Sequence, residues 1–435
     1  MKRIIITFLL IPAFVYSQNF TSYITGNNTD ITTNPLGGIC LMGGATEDDN
    51  AMKWFLQRAN GGDVLVLRAT GSNGYNNYLY STLGVSVNSV ETIVCNNPLA
   101  SFDPYVLQKI QQAEAIWFAG GNQWTYISYW RNTPVDSLIN IAINQRKVVI
   151  GGTSAGMAIQ GKYYFSAQNG TITSATAIND PYNNLVTVDS TEFVKNKFLE
   201  NIITDTHFDN PDRKGRLVAF MARILTDYGS KANAVACDEY TSICIDTNGI
   251  ASVYGGYPNY DDNAYFIQTN CELSNQNPEV CVSGSALTWD LGGSALKVYA
   301  IKGTPSGSGT FNLKNWQNGN NGTWLEWSVN SGLFAEQIST EPDCGLSING
   351  NEIKKSDILI YPNPALQEIN ISYKNINLNV NEIELYNSIG EKIKLDFRKI
   401  GDYTVRFDIE TLCGGVYQIR INSKSGIICK SFIIK

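Results

Sequence analysis

The segment at residues 147–161, KVVIGGTSAGMAIQG, constrains the fold and chemistry of this chain most strongly. The β-branched residues 148–150 predict a buried strand, and residues 157–159 begin a helical run. The glycine-rich turn between them is too tight for large side chains. It would hold Ser154 in strained geometry with its hydroxyl exposed and aim the Ala155 amide at a developing oxyanion. We interpret Ser154 as a nucleophile, with a closely packed or phosphate-binding turn as the alternative.

The histidine count supports this interpretation. The whole chain contains one histidine, His207, so Ser/His chemistry has a single candidate base. His207 lies in the polar segment DTHFDNPDRKGRL, directly after the Asn-Ile-Ile run at residues 201–203. A strand that ends there would deliver His207 to a site, although a lone histidine is more often structural.

Three motifs in this order resemble the cyanophycinase and aspartyl dipeptidase (peptidase E-like) family of serine peptidases. They are WFAGGNQ at residues 117–123, GTSAGM at residues 152–157, and DTHF followed by R-x-G-R-L-x-x-F within residues 205–220. The resemblance covers about residues 37–256 and continues more loosely to about residue 335. It implies a secreted serine exopeptidase that hydrolyses aspartyl or β-aspartyl peptide bonds, without a cofactor, in a family whose members are often homodimers.

The resemblance also implies roles for residues around Ser154. Gly121 would supply the second oxyanion amide beside Ala155, while Gln123 and Asp205 would line the substrate pocket. A plain strand-ending turn is the alternative for the Gly120-Gly121 pair.

The sequence leaves the acid of the triad open. Five carboxylates lie between the candidate nucleophile and base: Asp180, Asp189, Glu192, Glu200 and Asp205. In the family an Asp or Glu soon after the nucleophile orients the histidine, which slightly favours Asp180 in the turn sequence NDPY. Asp205 is too close to His207 in sequence to be sure of facing it. Asp238 and Glu239, after an apolar run, are a third option.

Two arginines are candidates for binding a substrate carboxylate. Arg213 and Arg216 are three apart on a helix predicted over residues 213–225, so they share a face. A solvated helix face explains one such arginine equally well. The cyanophycinases read Q-R-x-R-x-G-R here, and Asn210 and Pro211 replace the first two residues. This departure argues against cyanophycin itself and leaves a preference for acidic peptide substrates.

Alternating apolar runs and helical stretches predict the fold class. Apolar strands are predicted at residues 39–42, 64–67, 92–94, 115–119 and 148–150, with helices at 48–59, 106–113 and 137–144. The pattern is that of an open, doubly wound, mostly parallel α/β sheet of the flavodoxin-like or class I glutamine amidotransferase-like kind. Its ligand site would lie at the carboxyl ends of the strands, where the glycine pairs cluster.

The C-terminal residues predict an all-β sandwich of short strands. Its ILIYPNP start at residues 358–364, its YNSIGEKI hairpin and its GGVY strand resemble the C-terminal sorting domain of the type IX secretion system. The resemblance implies handling by that machinery and a secreted or cell-surface location. A surface-adhesion sandwich is the alternative.

These observations give the following domain organisation: a signal peptide at 1–18, a lead-in at 19–36, a peptidase domain at 37–340, a linker at 341–355 and a sorting domain at 356–435. The peptidase domain divides into an α/β core at about 37–256 and a β-rich extension at about 257–340. In the extension Trp316, Trp324 and Trp327 are expected to pack against the core; a carbohydrate-binding face is the alternative.

Composition excludes several partners and leaves two rival functions. The net charge of −7 argues against nucleic acid, and no segment after the signal peptide predicts a membrane span. One histidine and no C-x-x-C pair argue against a zinc site. Export permits disulfides, and Cys271 with Cys281 is the predicted pair, while Cys40 and Cys95 are predicted buried thiols. A catalytically inactive surface binding module is the main rival to the peptidase; the absence of an HGGG-like segment argues against a lipase or esterase.

Overall fold

The computed structural model describes residues 18–344 and, further along the chain, residues 358–373, 383–388, 390–394, 396–401, 403–423 and 426–435. The chain divides into two compact units, Met1–Cys344 and Gly345–Lys435. The predicted signal peptide lies outside the described residues except for Gln18, and so does the predicted linker from residue 345 onward.

The first unit contains short strands throughout its length. Those described are β1 Phe20–Gly26, β2 Ile39–Met42, β3 Asp63–Arg68, β4 Ser89–Cys95, β5 Ala115–Phe118, β6 Val149–Thr153, β7 Tyr164–Phe165, β8 Val188–Asp189, β9 Ile202–Asp205, β10 Asn233–Cys237, β11 Ser242–Ile245, β12 Ile250–Tyr254, β13 Asn263–Thr269, β14 Leu296–Lys302, β15 Gly309–Asn312, β16 Gly319–Asn320, β17 Gly322–Asn330 and β18 Leu333–Ile338.

The described helices are α1 Asp49–Arg58, α2 Gly74–Asn77, α3 Pro104–Gln112, α4 Gln123–Trp130, α5 Pro134–Asn144, α6 Ala155–Ala158, α7 Ser174–Asn179 and α8 Lys214–Tyr228. A π-helical turn lies at Tyr78–Thr82, and 3₁₀ turns lie at Pro98–Phe102 and Leu291–Gly293. Local sequence explains the starts of the long helices. Asp48 caps α1 by accepting from the amides of Asn50 and Ala51, and proline occupies the first turn of α3 and α5.

The main sheet has a parallel centre with antiparallel edges. Its described strand order is β1-β4-β3-β5-β6-β2-β11-β12-β15-β16, in which β4, β3, β5, β6 and β2 run parallel. Alternate residues of one strand face different cores. Leu65 and Leu67 pack with α3 and α5, whereas Val64 and Val66 pack with α1 on the other face. Helices therefore cover both faces, and the predicted α/β class is confirmed.

The strands of the β-rich extension belong to two sheets of the first unit. Strands β13, β14, β17 and β18 join β9 and β10 in a second sheet of order β18-β17-β14-β13-β10-β9, while β15 and β16 extend the main sheet. The tryptophans of the extension pack into the interior. Trp327 is fully buried, Trp316 is 7% exposed, and Trp324 packs against the same core as Trp316. The core-packing prediction therefore holds over the carbohydrate-binding alternative.

The predicted disulfide is wrong. Cys271 pairs with Cys344, which lies 73 residues later in the sequence. Cys281 is instead a buried thiol within the described part of the chain. The sequence proximity of Cys271 and Cys281 misled the prediction, because the end of the extension returns to the loop after β13. Cys40 and Cys95 are buried, as predicted, and neither takes part in the Cys271–Cys344 bond.

The C-terminal unit is built from two antiparallel sheets. Its described strands are β19 Ile358–Tyr361, β20 Glu368–Tyr373, β21 Ile383–Tyr386, β22 Lys392–Ile393, β23 Phe397–Gly401, β24 Thr404–Asp408, β25 Gly415–Ser423 and β26 Gly426–Ile434. They pair in the orders β19-β20-β24-β23 and β22-β21-β25-β26. Both sheets contribute to one apolar core, which includes Ile371, Val405, Ile419 and Phe432. The alternating pattern thus produces the predicted β structure.

None of the helices within the described residues has the length and hydropathy that crossing a membrane requires.

Candidate active site

Ser154 occupies the sharp turn between β6 and α6. Its backbone has φ 52° and ψ −118°, in the left-handed half of conformational space that non-glycine residues avoid. The glycines around it are required by close packing. A Cβ on Gly152 would lie 2.6 Å from the backbone of Gly156, and a Cβ on Gly156 would lie 2.1 Å from the carbonyl oxygen of Phe118. The tight turn predicted from the sequence is present and holds Ser154 half-buried at the strand end.

His207 approaches Ser154 from the end of β9. Its Nε2 lies 2.8 Å from Ser154 Oγ, within hydrogen-bonding distance. The backbone of His207 has φ 47°, and its amide donates to the carbonyl of Gly43 over 2.8 Å. The only histidine in the sequence and the elbow serine therefore meet in space.

The Gly43-Gly44 turn after β2 packs against the imidazole ring of His207. An added Cβ on Gly44 would lie 2.3 Å from His207 Cε1 and 2.4 Å from Nε2, and Gly44 has φ 129°. A Cβ on Gly43 would lie 2.0 Å from the carbonyl oxygen of Asp238. Neither position accepts a side chain, so this pair brings the backbone against the imidazole and against the turn after β10.

Glu239 lies on the other side of the imidazole. Its Oε1 is 2.5 Å from His207 Nδ1, and its Oε2 accepts from Asn210 Nδ2 over 3.3 Å. The backbone amide of Glu239 donates to Asp209 Oδ1 over 2.8 Å, and this bond holds the Glu239 backbone in place. Burial by itself raises the pKa of Glu239, but hydrogen bonds from His207 and Asn210 outweigh it and hold that pKa below its ordinary value. Glu239 is therefore a carboxylate at neutral pH.

The structure does not bring Asp180 to His207, which corrects the favoured assignment of the acid. Asp180 follows the end of α7, and its Oδ1 accepts from the backbone amides of Tyr182 and Gly284, each over 3.1 Å. The sequence NDPY therefore forms the turn that its residue types predict, but this turn ends α7 and contacts the loop at Gly284. Glu239 from the third option contacts the imidazole instead.

The turn after β5 lies beside the serine. A Cβ on Gly120 would lie 3.6 Å from Ser154 Cβ, so the Gly120-Gly121 backbone runs directly past the nucleophile. The hydroxyl of Tyr126 is 2.9 Å from the Gly120 carbonyl oxygen, and a Cβ on Gly121 would lie 2.7 Å from that hydroxyl. Tyr126 thereby orients this turn. The oxyanion roles of Gly121 and Ala155 stay predictions.

The pocket residues implied by the resemblance behave differently from one another. Asp205 and Arg216 form a buried ion pair, in which Arg216 Nε donates to Asp205 Oδ2 over 2.9 Å, and both side chains are 3% exposed. Each charge therefore neutralises the other. The side chain of Gln123 donates to the carbonyl of Phe165 over 3.2 Å.

Arg213 is only half-buried, and one of its terminal nitrogens donates to the Thr206 carbonyl over 2.8 Å. Burial, and then the nearby charge of Arg216, lower the pKa of Arg213 below its ordinary value. Arg216 forms a buried ion pair with Asp205, whereas Arg213 forms no such pair with the residues that the structure describes.

Comparison with protein families shows what each of the two units is similar to. Residues 72–250 match the model of peptidase family S51, and residues 359–435 match the secretion system C-terminal sorting domain. The first match covers less than half of the chain, so it shows that the first unit is similar to this peptidase family. The second match is to a domain by which a secretion system sorts proteins, which supports export of this chain.

Two curated proteins similar to this chain are cyanophycinases, from Trichormus variabilis and from a Nostoc species. Each is 23% identical over 150 residues, which is 34% of this chain and 45% of the relative. The chain thus spans about half the length of the curated relatives it matches.

Solved structures similar to the chain include a peptidase from an acI-B1 Actinobacterium and a peptidase E protein from Listeria monocytogenes. The first has a TM-score of 0.39 and 13% sequence identity, and the similarity covers 51% of this chain and 89% of the other chain. The second has a TM-score of 0.32 and 16% identity and covers 51% of this chain and 98% of its own.

Glu239 is the carboxylate at His207, whereas the sequence favoured Asp180 for this position. In the first unit it is 32 residues from His207 in sequence, just after the neighbouring parallel strand β10. The available signal was the pairing of β9 with β10, since carboxyl ends of adjacent parallel strands lie at one edge of a sheet. Asp205 and Arg216 were recognised, but their mutual pairing was not visible from the sequence.

Proposed function

We propose that the first unit is an exported serine peptidase in which Ser154 is the nucleophile, His207 the general base and Glu239 the acid. One observation carries the proposal: a continuous chain of contacts from Ser154 Oγ to His207 Nε2 at 2.8 Å and from His207 Nδ1 to Glu239 Oε1 at 2.5 Å. This order of hydroxyl, imidazole and carboxylate is the arrangement that activates a serine for acyl transfer.

The reaction follows from the position of each group. His207 takes the proton of Ser154 through Nε2, and the Ser154 oxygen attacks the carbonyl carbon of the scissile amide. Glu239 holds the imidazole in the tautomer with a proton on Nδ1 and stabilises the imidazolium that forms. His207 then protonates the leaving amine, and water hydrolyses the acyl-enzyme by the same proton path.

Stabilisation of the tetrahedral oxyanion is assigned to the amides of Ala155 and Gly121. Ala155 begins α6 directly after the nucleophile, and Gly121 belongs to the turn that runs past Ser154. Loss of one oxyanion donor typically costs about 10²–10³-fold in kcat.

The substrate class follows from charge and from the relatives. The relatives named above are cyanophycinases, and Arg213 is a cation near the triad that forms no ion pair with the residues that the structure describes. We assign to Arg213 the binding of a free carboxylate, and to the enzyme the hydrolysis of aspartyl or β-aspartyl bonds as an exopeptidase. Arg216 supports this site only indirectly, by neutralising Asp205.

A substrate panel tests the proposal. The exported protein is incubated with β-aspartyl-arginine polymer, with α- and β-aspartyl dipeptides, and with the same dipeptides amidated at the carboxyl terminus. We expect turnover of aspartyl substrates and weaker turnover when the free carboxylate is blocked.

Two variants complete this test. Ser154→Ala should lower turnover by about 10⁴-fold or more. Ser137→Ala removes an exposed serine on α5 and should leave turnover unchanged. If no peptide is cleaved, or if Ser154→Ala retains activity, the peptidase proposal fails and a surface-displayed binding module becomes the better account.

A further inference from the structure

Two thiols face each other across the sheet that supports the candidate active site. Cys40 on β2 is the direct cross-strand partner of Cys244 on the antiparallel strand β11. Their sulfur atoms are 3.8 Å apart, and both lie 4.0 Å from the carbonyl oxygen of Ala51 in α1. The two side chains therefore point to the same face of the sheet and into the same interior space, where Cys40 is fully buried and Cys244 is 1% exposed.

This geometry is compatible with a covalent bond. Directly opposed residues of antiparallel strands have Cα atoms about 4.5–5.5 Å apart, within the range that disulfides span. A disulfide requires the two sulfurs, now 3.8 Å apart, to approach to about 2.05 Å.

Two further observations favour an oxidising environment for this chain. Cys271 and Cys344 are joined by a disulfide, and the C-terminal sorting domain directs the protein out of the cell. Disulfides form and persist in such compartments.

We propose that Cys40 and Cys244 form a second disulfide in the exported protein. The oxidant is a protein or small-molecule disulfide, the class of reagent that also joins Cys271 to Cys344. One protein thiolate attacks a sulfur of the oxidant and releases one thiol, and the second protein thiolate then attacks the mixed disulfide and releases the other. The two cysteines lose two electrons and two protons in total, and the oxidant disulfide becomes two thiols.

The timing of the step follows from burial. Thiolates, not thiols, carry out the exchange, and burial raises the pKa of the Cys244 thiol well above its ordinary value. The folded interior therefore protects reduced thiols from exchange, so the bond forms during folding, before α1 covers the pair.

The position of this bond links it to the candidate active site. Above Cys40 and Cys244 the same ladder continues through Gly43, whose amide donates to Thr241, and Gly44, whose carbonyl accepts from the Tyr240 amide. Gly43 and Gly44 form the turn that packs against His207, and residues 239–241 form the turn that carries Glu239. A covalent bond at this position fixes the register of the two strands that bring these turns together.

Peptide mapping tests the proposal on the full-length protein purified after export. The protein is denatured without reductant, alkylated and digested, and the Cys271–Cys344 peptide pair serves as the internal control. We expect a linked peptide pair containing Cys40 and Cys244. Recovery of both peptides singly alkylated, or a link from either cysteine to Cys237, overturns the proposal.

A melting experiment gives an independent readout. In the wild-type protein, reductant breaks both disulfides, and the loss of both lowers the melting temperature. In Cys40→Ala/Cys244→Ala it breaks only Cys271–Cys344. We expect the reductant-induced drop to be larger in the wild type by about 5 °C, because the Cys40–Cys244 bond closes the longer loop of the unfolded chain. Equal drops in the two proteins contradict a second disulfide.

Discussion

At the scale of single residues, both reacting side chains sit on strained backbone. Ser154 has φ 52° and His207 has φ 47°, and neither is a glycine. Such conformations cost on the order of 1–3 kcal/mol each and persist only where surrounding contacts enforce them. Here the Ser154 amide donates to Met42 and the His207 amide donates to Gly43, so consecutive carbonyls at the end of β2 hold both residues. The end of β2 is thus the common support of nucleophile and base.

Replacement of the acid tests the triad directly. Glu239→Gln keeps the shape of the side chain but removes the charge that stabilises the imidazolium, so we expect kcat/KM to fall by about 10²–10⁴-fold. Asp180→Asn is the matched control and should leave kcat/KM within about twofold, because Asp180 contacts only backbone amides among its described hydrogen bonds. A larger loss for Asp180→Asn than for Glu239→Gln would restore the sequence-based assignment.

Asp238, beside the acid, contributes to the way the free energy of unfolding varies with pH. Burial raises the pKa of Asp238 from its ordinary value to about 7, so the folded state holds a proton that the unfolded state has lost. The folded state binds more protons between about pH 4 and pH 7, so stability falls as pH rises through this window and levels off above it.

Asp238→Asn should remove the contribution of this carboxyl to that slope, at most about 1.4 kcal/mol per pH unit. Denaturant unfolding of wild type and variant at pH 5 and pH 8 measures it. Glu114, whose pKa burial also raises to about 7, remains in both proteins and adds the same slope to each. A wild type that gains stability from pH 5 to pH 8 relative to the variant would contradict this account.

The sequence made the nucleophile and base predictable for reasons that did not extend to the acid. Ser154 lies in a local strand–turn–helix motif, and His207 is the only histidine in the chain. Glu239 competes with many carboxylates, and its selection depends on which strand lies beside β9. That pairing is a long-range property that no local pattern encodes.

At the scale of elements, the glycine turn after β2 is the most sensitive part of the site. Gly44→Ala would place a Cβ 2.3 Å from the ring of His207, so we expect the imidazole to be displaced and kcat/KM to fall by about 100-fold or more. Gly61→Ala is the matched control, because Gly61 also has positive φ, 80°, but has no atom within 4 Å of an added Cβ. Similar activity losses in both variants would show that backbone strain, and not contact with His207, is responsible.

The parallel strands and long helices were predictable because their patterns are local and strong. The predicted helix over residues 48–59 corresponds to α1, and the apolar runs correspond to β2 through β6. The division of the β-rich extension between two sheets was not predictable. Strands β13 and β15 have similar short patterns, yet β13 pairs with β10 and β15 pairs with β12. Their partners are selected by packing against the finished core.

At the scale of the whole molecule, each unit has a hydrophobic core of its own. A unit with its own core can fold alone. We therefore expect a chain of residues 18–344 to retain the melting temperature and kcat/KM of the same unit in the full-length protein. Calorimetry and the aspartyl-peptide assay measure these quantities.

A chain of residues 18–343 provides the control, since it lacks Cys344 and hence the bond to Cys271. It should be less stable by about 2–4 kcal/mol. Loss of folding in both chains would mean that the C-terminal unit is needed for the first unit to fold.

Covalent labelling of Ser154 tests the central claim most directly, because it requires no knowledge of the substrate. The exported protein is treated with a fluorophosphonate and the adduct is located by mass spectrometry. The account predicts a single adduct on Ser154, slower labelling in Glu239→Gln and none in His207→Ala. A folded wild-type protein without an adduct on Ser154, or labelling that persists in His207→Ala at the wild-type rate, would contradict it.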